Sequence, residues 1–171
     1  MTVTSTSSTI RLLARDWLRL AGMLLAFLGL LVAAYMSWAE LTGQETSCPG
    51  YTAGQEGNPG ALAVDCGFVQ NSIYAKALGI PVAVLGVGGY LAILVVWALE
   101  DRVPLLADYG PMLVFGMALF GFLFSAYLTY AELFIMYTVC TWCLASAVLM
   151  TLVFVVAVVR LAQVLRHPTG T

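Results

Sequence analysis

The chain has 171 residues, 61% of them hydrophobic and 9% charged, with a formal net charge of −2. That composition lies far outside the range of soluble domains, and so sparse a charge leaves no basic surface for nucleic acid. The four cysteines are read by compartment: reduced thiols would suggest metal or redox chemistry, and an oxidising side would suggest disulfides.

Met1–Thr9 is rich in Thr and Ser and has no apolar period. It is expected to be a disordered part of a cytoplasmic tail spanning 1–16. Arg11, Arg15 and Arg19 lead into the charge-free run Leu20–Ala39. A signal peptide has an apolar region of ~7–15 residues and a small-residue cleavage site. This run is longer, lacks a clean site, and reads as a retained membrane helix at about 17–41.

The stretch 42–79 is the long polar segment. Its first part carries Gly43, Pro49, Gly50, Gly54, Gly57, Pro59 and Gly60, which punctuate a loop. Its second part, Phe68–Leu78, has few breakers and spaces Val69, Ile73, Ala77 and Ile80 near the helical period. A short amphipathic helix on the membrane surface is expected there. Gly79 should end it, and Pro81 should open the next helix at a position needing no N–H.

The second charge-free span is 80–99, where Gly86, Gly88 and Gly89 form a small-residue patch suited to close helix approach. A short charged turn, Glu100–Asp108, contains Pro104. From Tyr109 to Val159 the only charge is Glu132. A single helix of that length, at ~1.5 Å per residue, would exceed twice the ~30 Å hydrocarbon core. The run must therefore turn, and the turn is expected over Leu133–Val139, giving helices at about 109–132 and 140–161. The expected fold is an all-α integral membrane protein. It is a bundle of four transmembrane helices within 17–165, with a long extracytoplasmic first loop that holds a short interfacial helix.

Arg11, Arg15, Arg19, Arg102, Arg160 and Arg166 fall on one side of this arrangement and only Lys76 on the other, six of the seven basic residues. The positive-inside rule then makes both termini cytoplasmic, including a short tail at 166–171. Cys48, Cys66, Cys140 and Cys143 all land on the opposite, oxidising side. Hydropathy and charge reach this result without using the cysteine positions.

Cys140 and Cys143 form a Cys-x-x-Cys pair where the fourth helix begins. A helix N-terminus presents unpaired N–H groups to an anionic sulfur, and the thiolate is the attacking species in disulfide exchange. Two intervening residues close too small a loop to stabilise much by chain entropy, so redox work is the better reading of this pair. Cys48 and Cys66 form either a second dithiol that relays electrons to the first or a staple across the loop. A Cys₄ zinc site is the metal alternative, although Cys48 and Cys66 lack zinc-knuckle spacing and the single histidine, His167, lies on the cytoplasmic side. Glu132 reads either as a proton acceptor near the thiols or as a marker of the interface at a helix end. Ser72 reads locally as a turn or cap residue. Trp142 and Tyr137 suit either a cofactor site or the bilayer interface, and the phenylalanines at 115, 120, 122 and 124 suit packing or lipid contact.

Tyr-Leu-Thr-Tyr-Ala-Glu-Leu-Phe at 127–134, followed by Cys140-Thr-Trp-Cys143, resembles the third helix end and active motif of bacterial vitamin K epoxide reductase homologues. Cys66-Gly-Phe-Val-Gln-Asn-Ser72, then Gly79-Ile-Pro81 and Leu85-Gly86, resembles the second loop cysteine, the serine beyond it and the start of the second helix. The resemblance covers about Cys48 to Ser146. It implies a four-helix bundle around a quinone of the menaquinone or ubiquinone type, with no metal. Within it, Cys143 faces the quinone, Cys140 exchanges with Cys66, and Cys48 takes electrons from a thioredoxin-like protein. Ser72 lies close to the quinone ring. The net reaction oxidises protein dithiols, supports disulfide formation in exported proteins, and reduces quinone at the plasma (inner) membrane. Some relatives carry a fused thioredoxin-like domain; here the partner is expected to be a separate protein. Two positions depart from the family pattern: the Cys48–Cys66 spacing is longer than usual, and Val82 stands where many relatives have Asn. A naphthoquinone-epoxide reductase using the same cysteines is the alternative enzyme. A non-enzymatic tetraspan protein with a stapled loop is the alternative from another class.

Overall fold

The computed structural model describes the backbone of residues 3–44, 46–52, 62–77 and 79–166, with side chains from residue 16 onward. Four helices are long and apolar enough to cross a membrane, over Asp16–Thr42, Val82–Leu99, Pro104–Met136 and Thr141–Arg166. They belong to α1 (Val3–Thr42), α3 (Val82–Leu99), α4 (Pro104–Ala131, continued by a π-helical turn at Glu132–Met136) and α5 (Thr141–Arg166). A short α2 (Cys66–Gln70) and a 3₁₀ turn (Ile73–Ala75) lie between α1 and α3. The bundle is the expected all-α membrane fold, with four strands of two residues each as its only extended pairings among the described residues.

Large apolar side chains cover the outside of these helices. Leu24, Leu31, Leu91, Phe120, Leu123 and Val155 are among the exposed ones. Helices that are apolar all round suit lipid, not water. Inside, α1 packs on α3 and α5, and α4 packs on α5 and α3. The shared core includes Ala26, Tyr90, Ile93, Trp97, Val114, Ala118 and Val153. Phe154 stacks on Phe122 and leans on Phe115, while Phe120 and Phe124 stack on each other.

Close helix approach depends on α1 more than on the Gly86–Gly89 patch. A side chain at Gly22 would run into the Trp97 ring, and one at Gly29 would overlap the Tyr90 ring. The Tyr90 hydroxyl, thus seated over Gly29, donates to the Ser146 carbonyl at 2.9 Å and ties α3 to α5. Gly86 does face Ala33, at 3.5 Å for an added Cβ, whereas Gly88 and Gly89 meet nothing within 4 Å.

Several expected boundaries move. The backbone is helical from Val3, so the part of the Thr/Ser-rich stretch after residue 2 extends α1 instead of forming the disordered segment expected at Met1–Thr9. Once a long helix exists, each added residue gains a hydrogen bond without a new nucleus, and Ser and Thr oppose this only weakly. Pro104 starts α4 five residues before the expected 109, at a position that needs no N–H. α5 runs on to Arg166. Of the tail expected at 166–171, the residues after Arg166 lie outside the described residues, as do Gly54, Gly57, Pro59 and Gly60 of the loop.

The single interfacial helix expected over 68–78 is instead α2 and the 3₁₀ turn. Asn71 Nδ2 donates to the Gly67 carbonyl at 3.0 Å, and Ser72 Oγ donates to the Val69 carbonyl at 2.7 Å. Side chains that bond back to the preceding turn compete with the helix ladder and end it. Ser72 then takes an extended conformation before Ile73. Gly79, at φ +83°, does not cap a helix; it sits in the tight turn joining β2 (Lys76–Ala77) to β3 (Ile80–Pro81). Pro81 flanks α3, which starts at Val82.

Candidate functional site

The turn between α4 and α5 was expected over 133–139 without a Gly or Pro to mark it. The chain widens into the π-helical turn Glu132–Met136 and stops at Tyr137, whose φ of 51° and ψ of 27° are left-handed. Tyr137 is the single non-glycine residue with positive φ among the described residues. This reversal frees β4 (Thr138–Val139) to pair in parallel with β1 (Ala63–Val64). The Ala63 N–H donates to the Tyr137 carbonyl at 3.1 Å, and the Asp65 N–H donates to the Val139 carbonyl at 3.2 Å. Each strand runs directly into a cysteine. Cys66 follows β1 through Asp65, whose carboxylate caps α2 by accepting the Phe68 N–H at 3.0 Å. Cys140 follows β4 at the head of α5.

The result is a second apolar cluster at the cysteine end of the bundle. Its buried members are Met36, Cys66, Val69, Met136 and Cys140, with Cys48, Cys143, Tyr35, Tyr74, Ala83 and Trp142 packed against it. Cys66 and Cys140 have no exposed surface. Cys48 and Cys66 form a disulfide, and Cys140 and Cys143 are free thiols. The four cysteines named from the sequence therefore meet in one place. The Cys143 N–H donates to Cys140 Sγ at 3.3 Å, so the first turn of α5 folds over the first sulfur.

The head of α5 also holds the Cys48 segment. Thr141 Oγ1 donates to the Pro49 carbonyl at 2.9 Å and lies 3.9 Å from Cys48 Sγ. Trp142 Nε1 donates to the Ser47 carbonyl at 2.9 Å, while its ring packs on Tyr35 with centroids 5.3 Å apart. On the α2 side, Thr46 Oγ1 donates to Gln70 Oε1 at 2.8 Å. The sequence had offered Trp142 as a cofactor or interface aromatic and had not singled out Thr141. Both residues between the paired cysteines are spent on fastening the other disulfide. Nothing in the spacing of Cys-Thr-Trp-Cys signals this, because the acceptors are backbone carbonyls about ninety residues away.

Glu132 is 4% exposed, so its carboxyl is enclosed within the protein. Its Oε2 accepts the Cys140 N–H at 3.2 Å, and Cys143, whose own N–H bonds Cys140 Sγ, stands in the same turn and interacts with the carboxyl electrostatically. Ser72 is half-buried and its hydroxyl is engaged with the Val69 carbonyl, as its local reading suggested. For the zinc alternative, the donor set is unfavourable: two of the four cysteines are bonded to each other. Among the described residues no group of three or more His, Cys, Asp or Glu side chains is placed to hold a metal ion.

Residues 20–158 match the model of the Vitamin K epoxide reductase family. The chain belongs to that family. The match spans all four membrane helices and all four cysteines, and with it come membrane thiol oxidoreductase chemistry and a general association with quinones and thioredoxin-like redox partners. As a family member with four apolar helices, it is a multi-pass membrane protein.

Far from the cysteines, the bundle is closed by ion pairs. Arg160 of α5 donates to both Glu100 oxygens at 3.0 and 3.1 Å, with both side chains nearly inaccessible. Arg19 of α1 pairs with Asp101 and reaches the Trp97 carbonyl. Arg19, Arg102 and Arg160 thus gather at the end opposite the four cysteines.

Proposed function

We propose that the chain is a thiol:quinone oxidoreductase with its cysteines on the extracytoplasmic face of the plasma membrane and both termini cytoplasmic. Electrons enter from a thioredoxin-fold partner at Cys48–Cys66, move to Cys140–Cys143, and leave to a membrane quinone of the menaquinone or ubiquinone type. The exported proteins served by that partner gain disulfides. The observation that carries this reading is the packing of Cys66 and Cys140 in one dry cluster, each at the end of a strand of the same pair.

Exposure orders the steps. Cys48 is half-buried and Cys66 fully buried, so a partner thiolate attacks the Cys48 sulfur and releases Cys66 as the leaving thiolate. The second partner thiol then resolves the mixed disulfide. Cys66 attacks Cys140 of a Cys140–Cys143 disulfide, releasing Cys143, and Cys48 closes on Cys66. Two electrons now reside on Cys140 and Cys143 while Cys48 and Cys66 are joined, the same arrangement of bonds that this structure holds.

The residues beyond Cys143 suit an apolar acceptor. Ala147 lies one helical turn along α5 on the same face as Cys143, and it lines a groove of about 410 Å³ between α4 and α5 with Phe122, Thr129, Leu144 and Thr151. Thr129 is one turn before Glu132 on α4. This lining would hold a quinone by apolar contact, and the bound quinone supplies the two-electron acceptor.

The test is anaerobic quinone reduction by the purified protein with a reduced thioredoxin-fold partner and a soluble quinone analogue. The wild type should be active and Cys143→Ala inactive. Cys48→Ala should fail with the protein partner yet work with dithiothreitol. Full activity in Cys143→Ala would refute the relay and favour a structural role for the cysteines.

A further inference from the structure

Among the described residues, no cation pairs with the buried carboxyl of Glu132. The ion pairs among the described residues, Arg19–Asp101 and Arg160–Glu100, lie at the far end of the bundle. Lys76, on the cysteine side, acts on Glu40 of α1. Among the described residues, the Cys140 N–H bonds the Glu132 carboxyl at 3.2 Å, and Cys143, one turn further on, interacts with it electrostatically. Tyr35 from α1, Tyr74 from the 3₁₀ turn and the free Cys140 thiol are the other titratable groups around the same cluster. A carboxyl in so dry a place is costly unless it has work or partners, and its partners here are one amide and one reactive thiol.

Its position in the chain is equally specific. Glu132 opens the π-helical turn, and π-helical turns gather at functional sites because the extra residue re-aims a side chain. Here the turn directs the carboxyl back toward the head of α5. The carboxyl also shares a face of α4 with Thr129, which lines the groove below. It therefore stands between the thiol that gives up a proton and the place where an acceptor would need one.

We propose that Glu132 is a proton carrier: it takes the Cys143 thiol proton as the Cys140–Cys143 pair is oxidised and delivers it to the electron acceptor. This rests on the thiol:quinone reading above. In the balanced step, the Cys143 S–H bond breaks and the proton goes to Glu132. The Cys140–Cys143 S–S bond forms, and Cys140 releases the second proton. Two electrons and two protons reach the quinone, one of the protons by way of Glu132, whose carboxylate is regenerated.

The experiment separates carrying a proton from merely holding the Cys140 N–H. Glu132→Gln keeps the size and the acceptor oxygen but cannot take a proton, whereas Glu132→Asp keeps the acid on a shorter arm. First, the purified protein, free of quinone and partner, is oxidised chemically from dithiol to disulfide and followed by infrared difference spectroscopy. The wild type should gain carboxylic-acid C=O absorption and lose carboxylate absorption, and Glu132→Gln should show neither. Identical spectra for the two proteins would overturn the proposal. Second, steady-state quinone reduction should fall about a hundredfold in Glu132→Gln, the usual range for loss of a general acid–base. Glu132→Asp should keep within about tenfold of wild type. The reverse order, with Gln active and Asp inactive, would assign Glu132 to positioning alone and overturn the proposal. Should Glu132→Gln fail to fold, the same infrared signal retained in Glu132→Asp supports the carrier and its loss refutes it. A wild type that reduces no quinone would refute the functional reading while leaving the infrared result to decide the proton step.

Discussion

At the scale of single residues, the site rests on side chains doing two tasks at once. Trp142 sits between Cys140 and Cys143, yet its indole N–H holds the Ser47 carbonyl at 2.9 Å and its ring rests on Tyr35. Trp142→Phe keeps the ring contact and removes the hydrogen bond. The expected loss is ~1 kcal/mol of local stability, which converts to an opening of the Cys48 segment about fivefold more frequent. Quenched alkylation after exposure to dithiothreitol should therefore find the Cys48–Cys66 disulfide reduced about fivefold faster than in the wild type. An unchanged rate would mean that Thr141 and its bond to the Pro49 carbonyl hold the segment alone.

At the scale of elements, the turn joining α4 to α5 is the decisive piece. It reverses the chain with neither Gly nor Pro, and Tyr137 bears the left-handed conformation that a glycine ordinarily would. A left-handed non-glycine residue costs roughly 1–2 kcal/mol, and a β-branched one tolerates it worst. Tyr137 already bears this cost, so Tyr137→Val should lower stability further, by the extra strain of a β-branched residue, and Tyr137→Gly should be neutral or stabilising apart from lost ring contacts. Thermal unfolding in detergent reads both. The Val variant should also slow Cys66–Cys140 exchange, because the Tyr137 carbonyl accepts the Ala63 N–H that begins the strand pairing.

At the scale of the whole molecule, the two ends of the bundle are built differently. One end is a dry cluster of sulfur and aromatic groups that holds one disulfide and two free thiols. The other is locked by Arg160 and Glu100, both nearly inaccessible. Removing one partner of a buried ion pair leaves an uncompensated charge and costs about 3–5 kcal/mol, whereas replacing both with apolar residues is often neutral. Arg160→Met should thus destabilise strongly in a detergent unfolding assay, and Arg160→Met combined with Glu100→Met should recover most of the loss. A double variant as unstable as the single one would show that Arg160 is needed for more than its partner.

The membrane class, the number of spans and the grouping of the cysteines at one end were all legible along the chain. Each of these follows from local quantities: runs of apolar residues matched to bilayer thickness, and arginines that stay on one side. The family motif around Cys140 and Cys143 was equally visible, because it is contiguous. What the tertiary structure decided was everything set by distant backbone. The parallel pairing of Ala63–Val64 with Thr138–Val139 involves two residues per strand, too few to leave a period in the sequence, yet it delivers Cys66 to Cys140. The same holds for the carbonyls of Ser47 and Pro49, which any residue could present, and for the glycines of α1 that seat Trp97 and Tyr90. Glu132 shows the difference most plainly. Its place near a helix end was legible, but burial at 4% and a carboxyl turned toward two cysteines come from a π-helical turn that only packing selects.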